Sequence, residues 1–401
     1  MIEEEKAKLR FVSTQKGTVT VGNICNGCIY NSAKYAIFRE KAICCPFKIT
    51  DKCCNSAPYY FFKQKNETSI IIFSKFRVPF DMPKSNEEII KLLKNDLIQA
   101  INNLQPFDNC ILQARYGTTE KKSFYDVENV LFYNIGTTHF KAFTKQGVTF
   151  STVDEQEIDS LRKKWNVPVE YTNYYEYRLT SSKNKNSFND LVAKFENIPL
   201  KCLGVKPANS WKAIKDEESK IQVYDKIDCE KKDVFALVLN IEKPKGVQFN
   251  IMTAMKPLLD GLICAFHSSQ FSEDELECFS KILNCKKEIL NSTSINVLGE
   301  RTNKYIQIYS NNIKWNPADD LCKYVDIYII EGDSWNVSGK IYSTIRCPYC
   351  GKTKISKLLY GMPAMTDELQ KNINNGKVKL AGCIISKNKH HHFCKWCKKT
   401  F

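Results

Sequence analysis

Two Cys-x-x-Cys pairs near the end of the chain constrain its fold more than any other feature. They are Cys347-Pro-Tyr-Cys350 and Cys394-Lys-Trp-Cys397. In such a pair a tight turn aims two sulfurs at one ion, and two facing pairs complete a tetrahedral site of four thiolates, a donor set typical of structural Zn²⁺. Because the first ten residues are charged and lack the apolar segment of a secretion signal, we expect a cytoplasmic protein. Thiols there bind metal more often than they form disulfides, so the spacing predicts a zinc site.

Shorter motifs between the two pairs strengthen this prediction. Gly351 follows the first pair, the letters YGMP occupy residues 360–363, and GC occupies residues 382–383. With these elements residues 346–401 resemble a family of short bacterial zinc ribbons with the pattern CPxCG, YGxP, GC and CxxC. Lys398 stands where such ribbons usually carry Gly. The resemblance implies a zinc-ribbon fold and a bound metal, and it implies no particular activity.

A second group of cysteines lies within residues 1–65. Cys25-Asn-Gly-Cys28 is followed by the pairs Cys44-Cys45 and Cys53-Cys54. One cysteine from each later pair, taken here as Cys45 and Cys54, would complete a second four-sulfur site with Cys25 and Cys28. The same thiolates would suit an iron–sulfur cluster, and buried thiols without metal are the third interpretation. We predict a zinc module here.

Positive charge is concentrated at the two cysteine-rich ends. Residues 346–401 hold 12 Lys and Arg against 2 Asp and Glu, residues 1–65 hold 11 against 5, and the rest of the chain holds 36 against 37. A localised basic surface beside a neutral body favours an anionic partner, most often nucleic acid. The alternative is that lysines keep small modules soluble. The residues expected to contact nucleic acid are Lys352, Lys354, Lys395, Trp396, Lys398 and Lys399.

Aromatic side chains offer two places where unpaired bases could stack. Trp396 and Tyr349 lie inside the two C-terminal cysteine pairs, where packing within a small module is the competing role. The second place is a tyrosine-rich stretch in the body of the chain, and it comprises Tyr171, Tyr174, Tyr175 and Tyr177 beside Arg178.

The sequence between the cysteine-rich ends predicts a mixed α/β body, which places the chain in the α+β class with a zinc module at each end. Residues 66–200 and 201–345 form two successive segments that could be distant copies of one unit, and residues 346–401 form the last domain. Helical spacing of apolar residues predicts a helix after Ser85, and the run Val130–Ile135 predicts a buried strand. No stretch of about 18 apolar residues occurs, so we predict no membrane-spanning helix.

One acidic motif, Asp126-Val-Glu128-Asn129, precedes that predicted strand. Residues two apart in an extended chain point the same way, so Asp126 and Glu128 could share a divalent cation such as Mg²⁺. The motif is similar to the Asp-x-Asp-Asn of RusA-type Holliday junction resolvases, a resemblance that implies a metal-dependent nuclease. The lysine expected a few positions later is absent, and Phe132 stands nearby. The fragment Lys256-Pro-Leu-Leu-Asp260 shares fewer of these features, and carboxylates that cap a strand end in solvent are the plainer interpretation.

Three functions follow from these patterns. The first, which we favour, is a zinc-containing protein that binds DNA or RNA without catalysis, alone or within a larger complex. The second is a nuclease that uses Asp126 and Glu128. The third is a scaffold subunit whose zinc ribbons bind protein partners. No P-loop, GxGxxG, HExxH or GxSxG motif points to another enzyme class.

Overall fold

The computed structural model describes most of the chain beyond its first cysteine-rich region. The described residues are 8–9, 59–63, 68–80, 87–120, 125–165, 167–181, 188, 190–200, 206–230, 233–309, 312–344, 347, 349–350, 355–382 and 390–401. The chain divides into two compact units, Met1–Lys183 with Phe249–Thr253 and Asn184–Gln248 with Ala254–Phe401. Both units combine strands with helices, which confirms the predicted mixed α/β body.

The first unit is built on a mostly antiparallel sheet. Its described strands are β1 Lys8–Leu9, β2 Tyr59–Lys63, β3 Ser69–Ser74, β4 Ile111–Thr118, β5 Gly147–Thr152 and β6 Asn173–Thr180. They hydrogen-bond in the order β1-β2-β3-β6-β4-β5, and β4 and β5 are the parallel pair. Helix α1 spans Glu87–Asn102 and α2 spans Glu155–Trp165.

Helix α1 forms where apolar side chains recur at helical spacing. Ile90, Leu93, Leu97 and Ile101 are all buried, because residues three and four apart share one face of a helix. This confirms the helix that the sequence predicts. Ser85, which the sequence offers as its N-cap, lies outside the described residues.

The tyrosines of strand β6 belong to the core of the first unit. The strand lies between β3 and β4, and Tyr174, Tyr175 and Tyr177 are at most 1% exposed. Tyr177 donates its hydroxyl proton to the Leu131 carbonyl at 2.7 Å, and Tyr174 donates to the Glu176 carboxylate at 2.8 Å. The interpretation of this stretch as a base-stacking surface is therefore wrong, since its rings are covered.

The predicted strand over Val130–Ile135 is also wrong. Asn129–Tyr133 is a π-helical turn, in which the amide of Asn134 donates to the carbonyl of Asn129 at 2.8 Å. A 3₁₀ helix follows over Thr137–Phe143. The residues of the turn are as buried as those of an inner strand, and a short apolar run does not distinguish a buried strand from a buried helical turn.

The described residues of the second unit include five strands that hydrogen-bond side by side. Its strands are β7 Asp190–Pro199, β8 Ile221–Val223, β9 Phe235–Pro244, β12 Cys322–Gly332 and β13 Asn336–Ser343, with the separate hairpin β10 Ile306–Tyr309 and β11 Asn312–Trp315. The order is β12-β9-β13-β7-β8, with β12 and β9 parallel. Its helices are α3 Pro207–Asp216, α4 Ile251–Ala265, α5 Glu273–Leu283 and α6 Lys287–Asn291, with short 3₁₀ turns at Glu218–Lys220 and Asp319–Leu321. The first residues of α4 belong to the first unit.

The two units share one strand order. In the first unit β3, β6, β4 and β5 lie side by side, and in the second β7, β13, β9 and β12 do. In chain order this is first, fourth, second and third strand in both cases. The second and third strands in chain order are parallel in each unit, and helical segments join them, as is usual for a parallel crossover. The two segments that the sequence offers as possible copies of one unit thus share a strand order, and common descent stays a prediction.

The C-terminal module, residues 346–401, adds a small sheet to the second unit. Strands β14 Ile355–Leu359, β15 Val378–Leu380 and β16 His392–Cys394 pair in the order β15-β14-β16. Helix α7 spans Asp367–Asn374 and is capped by the preceding residue, Thr366. The Thr366 hydroxyl accepts a hydrogen bond from the Leu369 amide at 3.2 Å. Such a cap satisfies one of the free amides of the first turn.

Candidate metal centre

Four cysteine sulfurs of the C-terminal module lie together. The ligand atoms of Cys347, Cys350, Cys394 and Cys397 are all within 4.8 Å of one another. The Sγ atoms of Cys347 and Cys397 are 3.5 Å apart, and those of Cys350 and Cys394 are 3.4 Å apart. A tetrahedral Zn²⁺ with Zn–S bonds of about 2.3 Å has sulfur–sulfur edges of about 3.8 Å. The spacing suits a shared ion and is far longer than a disulfide bond of about 2.05 Å.

Strand pairing brings the two cysteine pairs together. Ile355, just after the first pair, is the register partner of Cys394 across β14 and β16. Cys347, Ile355 and Cys394 form a small buried cluster, and Phe401 packs against it. Because this apolar cluster is so small, the cysteine site would contribute much of the stability of the module when a metal binds.

The second cysteine pair sits in a tight turn closed by backbone hydrogen bonds. The Lys398 amide donates to the Cys394 carbonyl at 2.9 Å, and the Cys394 amide donates to the Lys399 carbonyl at 2.8 Å. Lys398 has a φ of 62°, in the left-handed region that favours glycine. Lys398 therefore stands at a position of this turn where glycine would be free of strain.

Backbone amides of the turn stabilise one thiolate. Burial raises the pKa of the Cys394 thiol, but hydrogen bonds from the amides of Cys397 and Trp396 and from the thiols of Cys350 and Cys397 together lower its pKa to about 7. A deprotonated sulfur is the form that binds metal. The donor set, its spacing and this electrostatic bias together mean that the four cysteines could hold a metal ion such as zinc.

Histidines near the second pair are not part of this group. His390 and His391 are exposed, and the ring of His392 packs on Phe401 with centroids 5.4 Å apart. Among the described residues of the module, the four cysteines are the ones that converge on a common point.

The surface around the cysteine group is strongly basic. The described part of the module has seven lysines, of which all but the half-buried Lys395 are exposed: Lys357, Lys371, Lys377, Lys379, Lys395, Lys398 and Lys399. Trp396 is 64% exposed and Tyr349 is 55% exposed. Lys352 and Lys354, which the sequence also predicts as nucleic-acid contacts, lie outside the described residues.

Lysines in the module cover aromatic rings. The ammonium of Lys399 lies 4.6 Å from the centre of the Tyr349 ring, and that of Lys379 lies 3.3 Å from the centre of the Phe393 ring. The sequence predictions did not include the second pair, because it joins different strands of the small sheet. Such pairing holds cations and π surfaces side by side.

The acidic pair of the first unit lies at the start of the π-helical turn. One carboxylate oxygen of Asp126 and one of Glu128 are within 4.8 Å of each other. Asn129 donates from its side-chain amide to Asp126 at 2.7 Å, and Glu128 is 3% exposed. The two carboxylates are close because Asp126 and Glu128 lie at a helical turn, whereas the sequence predicts them on an extended chain. Two carboxylates at this distance could ligate one divalent cation.

The residue that stands near the expected lysine, Phe132, is a core aromatic. Phe132 is fully buried and contacts Phe140 and Phe150 edge to face, with centroids 5.1 Å and 5.7 Å apart. In the second unit the ammonium of Lys256 lies 3.3 Å from Asp260 and 3.2 Å from Asp319. The two fragments with nuclease-like motifs lie at corresponding places in the shared four-strand order, one between β4 and β5 and the other between β9 and β12.

The N-terminal cysteines Cys25, Cys28, Cys45 and Cys54, with Cys44 and Cys53, lie outside the described residues. The zinc module predicted for residues 1–65 therefore stays a prediction. In the described part of the chain, no helix is both long enough and apolar enough to cross a membrane.

A comparison of the chain with known protein families gives no match, and a comparison with curated proteins gives none either. The resemblance of the C-terminal module to short zinc ribbons thus remains an expectation drawn from its motifs.

Proposed function

We propose that the protein binds zinc through its four C-terminal cysteines and binds nucleic acid through the basic surface that surrounds them. The observation that carries the proposal is the arrangement of exposed lysines on a module that a metal would hold rigid. Six of the seven described lysines there are exposed, while the module has only two acidic residues, Asp367 and Glu368. Phosphates neutralised by such a surface release counterions, which drives binding of DNA or RNA.

The test is binding of the purified full chain to labelled duplex DNA, single-stranded DNA and RNA at two salt concentrations. Affinity should fall steeply with salt, since the contacts are to phosphates. A variant with Lys398 and Lys399 changed to Gln should bind all three more weakly and with a smaller salt slope. The matched control changes Lys281 and Lys287 to Gln, because these lysines lie outside the module and pair with Glu277 and Glu273.

Absence of binding to all three nucleic acids at low salt would refute the proposal. The third function, a scaffold whose zinc modules bind protein partners, would then account for the charge through an acidic partner. A chain that binds normally after the Lys398 and Lys399 changes would also refute it, since the basic module would then not be the binding surface.

A second function, metal-dependent cleavage of nucleic acid, is favoured by the acidic pair alone. Mg²⁺ commonly binds through one or two protein carboxylates together with substrate phosphates. Asp126 and Glu128 offer two carboxylates within 4.8 Å, directly before a π-helical turn, a feature frequent at functional sites. In this hypothesis the cation would polarise a phosphate and activate a water.

Cleavage of branched and single-stranded substrates with Mg²⁺ or Mn²⁺ tests the second function. Asp126→Asn and Glu128→Gln should abolish cleavage while binding persists. Asp154→Asn is the matched control, because Asp154 also precedes a helix of the first unit. A parent protein that binds but does not cut any substrate would rule the nuclease out.

A further inference from the structure

Each of the two C-terminal Cys-x-x-Cys turns carries an exposed aromatic ring at the same position. Tyr349 precedes Cys350 and Trp396 precedes Cys397, and more than half of each side chain is exposed. Small modules bury aromatic rings when they can, because their cores are thin. The interior here is filled instead by the cysteines, Ile355 and Phe401. The two rings are therefore left on the surface.

The rings are embedded in positive charge. Lys399 lies over the Tyr349 ring at 4.6 Å, and Trp396 lies between Lys395 and Lys398 in sequence. An ammonium at this distance is attracted by the π electrons of the ring, while about half of the Tyr349 side chain stays exposed. The surface thus combines flat apolar faces with ammonium groups, which match the bases and phosphates of one strand.

We propose that the two turns bind unpaired nucleotides, with bases stacked on Trp396 and Tyr349 and the flanking phosphates on the adjacent lysines. This inference rests on the proposed function and specifies its substrate as single-stranded nucleic acid. In a duplex the base faces are already stacked on each other, so exposed rings add nothing to its binding. Charge alone favours the duplex, whose phosphates are denser than those of a single strand.

The first experiment compares three labelled probes of equal length, single-stranded DNA, single-stranded RNA and duplex DNA, at fixed salt. We expect both single strands to bind more tightly than the duplex. Trp396→Ala should weaken single-strand binding about tenfold or more, since base–aromatic stacking contributes about that much per base. Duplex binding should change less than twofold, and Trp396→Phe should restore most single-strand affinity. The matched control is Tyr309→Ala, an exposed ring of β10 outside the module.

The second experiment uses the unaltered protein, so that loss of folding in a variant cannot decide the result. Oligonucleotides with one 5-iodouracil base, as DNA and as RNA, are cross-linked by light and the attached peptide is found by mass spectrometry. We expect the main cross-links to be to Trp396 or Tyr349, because an aromatic ring stacked on the base favours the reaction. Whichever oligonucleotide, DNA or RNA, gives more cross-linked peptide is the nucleic acid that the two turns prefer.

The outcomes separate this inference from the proposed function. If none of the probes binds, both fail. If the duplex binds as tightly as the single strands, Trp396→Ala changes neither and no cross-link reaches the two rings, the basic surface still binds nucleic acid but base stacking is refuted.

Discussion

The ammonium of Lys399 lies 4.6 Å from the centre of the Tyr349 ring, so a cation that follows the second cysteine pair covers a ring inside the first. The two residues are 50 positions apart in the chain and meet because the four sulfurs of both pairs converge. The basic and aromatic surface therefore depends on the cysteine site beneath it. Whatever disrupts that site should disturb the surface as well.

Loss of one C-terminal cysteine should remove one metal ion per chain. In Cys350→Ser the remaining three thiolates no longer form a closed tetrahedral site, so the zinc content measured by mass spectrometry should fall by one ion. Because metal binding and folding of such modules are coupled, proteolysis should also reach the C-terminal module more readily. Cys278→Ser is the control, since Cys278 is a half-buried cysteine of α5 outside the site. Equal zinc content in Cys350→Ser and the parent would contradict the assignment of these ligands.

Glycine at position 398 should strengthen the metal site. Lys398 adopts a φ of 62°, which costs a residue with a side chain about 1 kcal/mol relative to Gly. Lys398→Gly should therefore slow the transfer of zinc to a chelator, which a colorimetric zinc indicator follows with time. Lys398→Ala removes the same charge and keeps the backbone penalty, so it separates the two effects. Equal release rates for the Gly and Ala variants would show that the left-handed conformation costs nothing here.

The cysteine site could be predicted from sequence because its determinants are local. A Cys-x-x-Cys turn fixes the relative position of its own two sulfurs. Because a structural zinc site needs four ligands, the second pair was expected to supply the other two. Its surface was predicted in part: Trp396, Lys398 and Lys399 are exposed, as a binding role requires, while Lys395 is half-buried beside the Gly376 turn. The pairing of Lys379 with Phe393 depends on strand register, which residue spacing does not encode.

The body of the chain was harder to predict, for reasons visible at two of its elements. Strand β6 is a central strand, so tyrosines on both of its faces are buried and the alternation of polar and apolar residues is weak. At Val130–Phe132 a run of buried apolar residues suits a strand and a helical turn equally, and tertiary packing selected the turn. The order of the strands follows from pairings between residues far apart in the chain.

Acid should destabilise the second unit through His267. Burial lowers the pKa of this histidine to about 4, although its ring nitrogen contacts the Gly299 carbonyl at 3.1 Å. The unfolded chain, with a pKa of about 6.5, binds the proton first as the pH falls. The stability is therefore complete above about pH 6.5 and is lost as the pH falls toward 4, by about 3 kcal/mol in all. Urea unfolding at several pH values should show a shallower fall for His267→Asn.

Asp326 should act in the opposite direction. Burial raises the pKa of this carboxyl to about 6, although the neighbouring hydroxyls of Tyr324 and Tyr328 favour its charged form. The folded state then keeps its proton between about pH 4 and pH 6, so stability from this group falls as the pH rises through that window. Asp326→Asn should stabilise the unit at pH 7 and make its loss of stability in acid steeper. A variant less stable than the parent at pH 7 would show that the ionised carboxylate is compensated.

Position 132, near which the nuclease-like motif would have a lysine, should not accept that residue. Phe132 packs edge to face against Phe140 and Phe150 and is fully buried, so Phe132→Lys would bury an unpaired charge in an aromatic cluster. We expect that variant to be largely unfolded by circular dichroism and urea titration, whereas Phe132→Leu should lose only about 1 kcal/mol. A Phe132→Lys variant as stable as the parent would mean that the turn can rotate this side chain outward. If it unfolds as expected, any chemistry at Asp126 and Glu128 has to proceed without a lysine from this turn, whereas the second unit has Lys256 beside Asp260 and Asp319.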